Sequence, residues 1–197
     1  MNITENVQGV VLAAGCSRRF GADKTLECID GLPMAIKSAL SLKSVVQNVL
    51  IIISENNTSL QKAAIKYGIK CVINRTEFNS GIGSSISLAV RATPDANGWM
   101  FCLADMPFIK NHTYKMVLDA LNRDGNIVVP RFNGRSGHPV AFGKTFQDLL
   151  AEKTGDTGAQ TIIKSHLDSI TYIETEDSGV LLDIDTELDL KKQRINL

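Results

Sequence analysis

The sequence predicts an α/β protein of three layers, with helices on both faces of a mostly parallel central sheet. Three observations carry this expectation. Several short segments are continuously apolar rather than alternating, the pattern of strands covered on both faces. Amphipathic helical stretches fall between them at the lengths that βαβ units need. The chain has 197 residues, 44% hydrophobic and 21% charged, which suits one domain over 1–197 with a substantial core.

The elements follow in order. Val7 to Ala13 reads as a buried strand broken by Gly15. Pro33 opens a helix at a favoured first position, with Ile36, Ala39, Leu40 and Lys43 at helical spacing. Val49 to Ile53 is a second strand, and the stretch from Asn57 is helical through Leu60, Ala64 and Tyr67 until Gly68. Cys71 to Ile73 is a short third strand, and Ile86, Ala89 and Val90 mark another helix. Trp99 to Leu103 is a fourth strand, Tyr114 to Leu121 a helix whose apolar stripe belongs to the core, and Ile127 to Val129 a fifth strand.

Beyond Pro130 the pattern loosens. Arg131 to Gly143 contains three glycines, and Pro139 to Phe142 looks like one strand of a hairpin. Phe146, Leu149 and Leu150 mark a helix, and Thr157 to Lys164 another with Asp156 as its N-cap. Tyr172-Ile173 and Val180 to Leu182 read as late strands. No Pro/Ser-rich linker, internal repeat or low-complexity tract interrupts the chain.

Composition excludes several function classes. Lys plus Arg number 21 and Asp plus Glu number 21, a net charge of zero. Proteins that coat nucleic acid or anionic lipid need an excess of cations; a small nucleotide needs only a few. No apolar run approaches the roughly 18 residues of a membrane span. Met1 to Gln8 is polar and carries Glu5, unlike a signal peptide, so a cytoplasmic location is expected. Cys16, Cys28, Cys71 and Cys102 lie far apart without CxxC spacing, which argues against a disulfide framework or zinc site.

In open parallel sheets ligands bind beyond the carboxyl ends of the strands. That rule selects Ala14 to Lys24, Asn74 to Ser85, Ala104 to Pro107 and the residues after Leu182. In the first segment, Ala13, Ala14 and Gly15 permit close backbone approach, and their amides suit an anion. Arg18, Arg19 and Lys24 add three cations within seven residues, as a phosphate site needs. Asn79 to Ser85 sets hydroxyls and amides before a helix, where a base, ribose or phosphate is readily held, although a serine cap explains it equally. Asp105 follows an apolar strand and is placed either to hold Mg²⁺ against a triphosphate or to cap the helix after Pro107. Asp183 and Asp185 flank Ile184 and offer a second carboxylate, or a cap for a terminal helix. His138 stands between Gly137 and Pro139, in a structural or a substrate-side role; His112 and His166 belong to no motif.

Two familiar phosphate loops do not fit. A P-loop needs GxxxxGK[ST], but Gly15 and Gly21 are six apart and no lysine follows Gly21; a GxGxxG fingerprint would need glycine at Ser17. Instead Leu12-Ala13-Ala14-Gly15-x-Ser17-x-Arg19-x-Gly21-x-x-Lys24 resembles the signature of the molybdenum-cofactor nucleotidyltransferases. Ala14 resembles the cytidylyltransferase branch, where the guanylyltransferase branch has LAGG. The likeness continues through Gly81-Ile82-Gly83-Ser84-Ser85, Asp105-Met106-Pro107, Gly137-His138-Pro139, Gly155-Asp156-x-Gly158-Ala159 and Asp183-Ile184-Asp185-Thr186.

The resemblance implies a MobA-like, glycosyltransferase-A-like NTP transferase with the Rossmann-like sheet of nucleotide-diphospho-sugar transferases. It implies transfer of CMP from CTP to a molybdopterin-type cofactor, with release of pyrophosphate and dependence on Mg²⁺. Nucleotide contacts fall on Leu12, Ala13, Ala14, Gly15, Ser17, Arg19, Lys24, Gly83, Ser84, Ser85 and Asp105. Arg19, Lys24 and Asp105 carry catalysis, Asp105 and Asp185 hold the metal with Asp183 as the alternative, and Gly137, His138 and Asp156 border the acceptor. Neither nucleic acid nor membrane is an expected partner; contact with a molybdoenzyme maturation factor is. Some relatives carry or pair with a maturation domain that this chain lacks, which leaves another phosphorylated acceptor, such as a sugar phosphate, as the alternative. A nucleotide-binding cofactor chaperone without turnover is the non-enzymatic alternative, and the paired carboxylates count against it.

Overall fold

The computed structural model describes residues 6–15, 24–75, 81–186 and 189. Strand β1 (Val7–Ala13) is followed by a small hairpin of β2 (Cys28–Ile29) and β3 (Leu32–Pro33), then α1 (Met34–Lys43), β4 (Asn48–Ser54), α2 (Thr58–Lys66) and β5 (Lys70–Asn74). Helix α3 (Ile82–Arg91), β6 (Gly98–Leu103), α4 (Asn111–Asp124), β7 (Ile127–Phe132), β8 (Arg135–Ser136) and β9 (Val140–Gly143) come next. Helices α5 (Gln147–Ala151) and α6 (Gln160–Ser165) precede β10 (Ile170–Glu174).

The main sheet has the order β10-β7-β9-β6-β1-β4-β5, with β8 on the flank of β7. Strand β1 lies parallel to both β4 and β6. Strand β9 runs antiparallel to β6 and β7, whereas β10 is parallel to β7. The chain builds outward from β1 through β4 and β5, then crosses back to β6 on the other side. That reversal makes the carboxyl ends of β1 and β6 the place where a crevice opens.

All seven residues of β1 are buried, as its unbroken apolar run predicts. Val7, Val11 and Ala13 face a core shared with Ile36, Leu42, Leu60, Tyr114 and Leu121 of α1, α2 and α4. Val10 and Leu12 face the opposite core with Ile86, Val90, Leu150 and Ile162 of α3, α5 and α6. This is the three-layer arrangement expected from the sequence. Gly9 leaves room for α1, because a Cβ there would come within 2.8 Å of Leu42 and Val46.

Helix ends follow local chemistry. The Asn57 side chain accepts from Leu60 N at 3.0 Å, which caps α2. Gly125, at φ 65°, closes α4 in the left-handed conformation. Pro33 sits one residue outside α1, as its N-cap. Two expectations need correction. Asp156 does not cap α6: it lies in a 3₁₀ turn, Gly155–Thr157, and Ala159 holds the N-cap position. Val180 to Leu182 is not a strand. Ser178–Leu181 forms a 3₁₀ turn because the Asp177 carboxylate accepts from Gly179 N at 3.0 Å and starts it.

Asp177 has a second task. Lys110 at the N-cap of α4 supplies no capping side chain. Asp177, 1% exposed, accepts instead from Lys110 N at 2.8 Å and Thr113 Oγ1 at 2.7 Å. A carboxylate from 67 residues downstream thus completes this helix start and complements its dipole. Asp177→Ala leaves three buried donors unmet and should lower unfolding stability by about 3 kcal/mol. A urea titration reads this as a shifted midpoint; a midpoint unchanged from the parent chain refutes the account.

Candidate active site

Three predicted residues from distant parts of the chain meet at one point. Lys24 opens the one-turn 3₁₀ helix Lys24–Leu26 after the glycine-containing segment. Its Nζ donates to Asp105 Oδ2 at 2.8 Å and to Asp185 Oδ1 at 2.6 Å. The Lys24 side chain is 11% exposed, against 28% for Asp105 and 49% for Asp185. Burial alone would lower the Lys24 pKa, but the hydrogen bonds and charges of the two carboxylates outweigh it and raise it above the ordinary value. The group therefore stays an ammonium throughout the neutral range.

Backbone contacts set the two acids in place. Asp105 lies just past the carboxyl end of β6, and α4 starts at Asn111, so Asp105 caps no helix. Ala104 N donates to Leu12 O at 3.2 Å, which ties this turn to β1. Ile184 N donates to Asp105 O at 2.9 Å, and the Ile184 side chain packs with Ile29 and Met34. That anchor lays the following residue, Asp185, over Lys24. Asp183 is exposed.

The carboxylate pair fits a divalent cation. Oxygens of both acids already converge on a single positive charge, and Asp105 Oδ1 is buried without a hydrogen-bond partner. Mg²⁺ takes one or two protein carboxylates and completes its shell with water and substrate phosphate. Among the described residues no cluster of three or more acids, histidines or cysteines competes as a metal site.

Beside these charges lies a cleft of about 770 Å³. Leu12, Ile82, Ile86, Phe101, Leu103 and Phe142 give it an apolar wall, while His138, Asp156, Lys164 and Tyr172 contribute polar groups. Of the predicted residues, Leu12, Gly137, His138 and Asp156 line it, and Lys24, Asp105 and Asp185 do not. His138 N donates to Val180 O at 2.9 Å, and a Cβ at Gly137 would meet that same carbonyl at 2.2 Å. The 3₁₀ turn thus presses the hairpin inward. His138 Nδ1 is buried and unpartnered. Burial lowers the His138 pKa, against a hydrogen bond to the Phe101 backbone and the Asp105 charge, both of which raise it.

The remaining predicted residues separate. Ala14 and Gly15 sit at the carboxyl end of β1, where a Cβ on Gly15 would meet nothing within 4 Å, so the backbone there is open to a ligand. Ser17 and Arg19 lie outside the described residues. At the start of α3, Ser84 Oγ donates to Gly81 O at 2.8 Å. Ser85 is 3% exposed and its Oγ accepts from Asn74 Nδ2 at 3.1 Å, so this hydroxyl faces the sheet. Gly81 and Gly83 are required by packing: a Cβ on either would come within 2.3 and 2.6 Å of the Gly155 and Thr154 carbonyls. Sequence reasoning missed Asp177, whose side chain serves Lys110 and Thr113 at 67 and 64 residues' distance in the chain, and it missed the pairing of Asn74 with Ser85 inside a segment it had selected.

Residues 9–170 match the MobA-like NTP transferase domain. The purine catabolism protein PucB of Bacillus subtilis is 31% identical over 90% of this chain and 91% of its own length. The molybdenum cofactor cytidylyltransferase of Escherichia coli is 24% identical over 90% of each. Other relatives are named probable molybdenum cofactor guanylyltransferases, among them one from Pyrococcus horikoshii at 27% identity over 73% of this chain and 72% of its own. Among solved structures, a manganese complex of Rv0371c from Mycobacterium tuberculosis superposes with a TM-score of 0.81 at 23% identity, covering 98% of this chain and 100% of that one. With its fold, its order of motifs and the match over residues 9–170, this chain belongs to the MobA-like NTP transferase family of nucleotidyltransferases.

Proposed function

We propose that the chain transfers a CMP moiety from CTP to a molybdopterin-type cofactor and releases pyrophosphate, with Mg²⁺ as the working metal. The observation that carries this reading is the convergence of Lys24, Asp105 and Asp185 at the carboxyl ends of β1 and β6, beside an apolar cleft. CTP is favoured by Ala14, the residue that resembles the cytidylyltransferase branch, and by a relative named for that activity. Relatives named as guanylyltransferases make GTP the competing nucleotide. A manganese complex among proteins of the same fold is in keeping with a divalent metal.

In this reading a phosphate oxygen of the acceptor attacks the α-phosphorus of the nucleotide. The new O–P bond forms as the bond from the α-phosphorus to the bridging oxygen breaks, and the electron pair leaves with pyrophosphate. No covalent enzyme intermediate is needed, so positioning and charge stabilisation do the catalytic work. Lys24 and, by the signature, Arg19 neutralise charge on the triphosphate. Asp105 and Asp185 would hold the metal, which would supply Lewis acidity when bound. Leu12 to Gly15 offer backbone amides to the nucleotide. The cleft walls, with Gly137, His138 and Asp156, take the acceptor and keep water away from the reacting phosphate. The cytoplasm, with a molybdoenzyme maturation factor in contact, is the setting this reaction implies.

The direct test is pyrophosphate release with Mg²⁺, a molybdopterin-type acceptor and each of the four nucleoside triphosphates in turn. Turnover with CTP alone is expected; turnover with GTP alone reassigns the base, and turnover only with a sugar phosphate reassigns the acceptor. Nucleotide binding without turnover on any acceptor favours a chaperone. Lys24→Ala and Asp105→Ala should each lower kcat by roughly a hundredfold, the usual cost of deleting one preorganised charge stabiliser. Wild-type turnover in either variant refutes the assignment. Asp185→Asn should cost far more activity than Asp183→Asn, because only Asp185 reaches the Lys24 ammonium at 2.6 Å; the opposite ranking moves the metal to Asp183.

A further inference from the structure

We propose that the Lys24 ammonium is a built-in stand-in for the divalent cation: it closes the Asp105–Asp185 pair until a nucleoside triphosphate draws it onto its phosphates, so that the metal enters with the nucleotide and not before it. The inference rests on the nucleotidyltransferase reading of this site.

Two ionised carboxylates near each other are stabilised by a cation between them. Here Nζ lies 2.8 Å from Asp105 Oδ2 and 2.6 Å from Asp185 Oδ1, so the bridging position is taken. A divalent ion bound to the same oxygens would stand a few ångströms from the ammonium, and like charges so close in a partly buried site repel strongly. Metal and lysine are therefore alternatives at this point. Lysine suits such an exchange because its charge is compact and rides on a flexible four-carbon stem. Its root also lies in the right place. Lys24 opens a single 3₁₀ turn immediately after the segment bearing the phosphate-binding signature. A triphosphate on the Ala14–Gly15 backbone would offer it a more highly charged partner than either carboxylate.

The pair is also left unsatisfied in a way that a metal would cure. Asp105 Oδ1 is buried and has no partner, because the ammonium takes only the other oxygen. A hydrated divalent ion can engage one oxygen directly and the other through its water. The closed state therefore holds the two acids in place, and the loaded state is the better electrostatic match once Lys24 has left.

The test is metal binding without nucleotide, read from the electron paramagnetic resonance of free Mn²⁺ on the full-length chain. Wild type should bind Mn²⁺ weakly. Lys24→Met and Lys24→Gln should bind it roughly tenfold to a hundredfold more tightly, the worth of one or two charge-assisted hydrogen bonds. Adding Asp105→Asn to either should abolish the gain. Both single variants should also melt at a lower temperature than wild type and recover on addition of Mn²⁺. Equal or weaker Mn²⁺ binding by the lysine variants, or tight binding by nucleotide-free wild type, overturns the proposal. A wild-type arm carries no folding risk. The ¹⁵N resonance of the Lys24 ammonium should persist with Mg²⁺ alone and shift when Mg²⁺ and CTP are added together; a shift with Mg²⁺ alone also overturns it. Pyrophosphate release tests the enzyme reading separately: turnover of CTP without tighter Mn²⁺ binding in the variants removes only the stand-in role. Tighter binding without turnover of any nucleotide removes only the proposed reaction.

Discussion

One ammonium holds this site together. Lys24 bonds an acid 81 residues away and another 161 residues away, and so ties three parts of the chain to one point. Without the lysine, two carboxylates would face each other in a partly buried turn, and one would have to take up a proton or move out to water. Without the acids, a lysine that is 11% exposed would be costly to keep charged. Each member is tolerable only because of the others. The position of the cluster follows from the sheet. The order β4-β1-β6 puts the turns after β1 and β6 side by side, and a reversal of strand order there leaves space above them.

The second constraint is the segment that follows β10. Asp177 ties it to the start of α4, Val180 bonds the His138 backbone, and Ile184 bonds the Asp105 carbonyl before Asp185 reaches Lys24. A short run of irregular chain thus stitches the helix layer, the β7–β9 hairpin and the turn that carries Asp105 to one another. Irregular backbone can do this because its amides are not committed to a ladder. The same amides in a strand would have been used on a neighbour in the sheet. The expected Val180–Leu182 strand gives way to a 3₁₀ turn for that reason: the Asp177 side chain and the His138 amide, not a sheet neighbour, satisfy its polar groups.

Much of the fold is legible in the sequence because the strands are buried on both faces. Val7 to Ala13 and Trp99 to Leu103 carry unbroken apolar runs, and their positions in the structure differ from expectation by at most one residue. The β2–β3 hairpin carries a signal that went unread: Asp30 and Gly31 have φ of 52° and 78°, the positive values that an Asp-Gly pair adopts in a tight turn. Site residues on strand ends are legible for the same reason as the strands, since Asp105 is an acid directly after an apolar run. Pairings across the chain are not. Nothing in the spacing of Asn74 and Ser85, or of Asp177 and Thr113, says that they meet. Gly81 and Gly83 show the converse, since glycines that suggest a phosphate cradle also make room for the Thr154–Gly155 backbone.

The division between charge and oil within the crevice has a physical consequence. Arg18, Arg19 and Lys24 lie near the start of the chain, and seven acids with no lysine or arginine lie between Glu174 and Asp189. A net charge of zero conceals this separation. The fold joins part of each cluster at Lys24 and Asp185, while the adjoining cleft presents Leu12, Phe101 and Phe142. Apolar walls next to ion pairs lower the local dielectric, so every charge there acts more strongly than it would in water. Few charges, mutually neutralised at rest, then stand beside an apolar wall without an excess of either sign. In the proposed reaction those charges become available to a ligand that is itself charged enough to separate them.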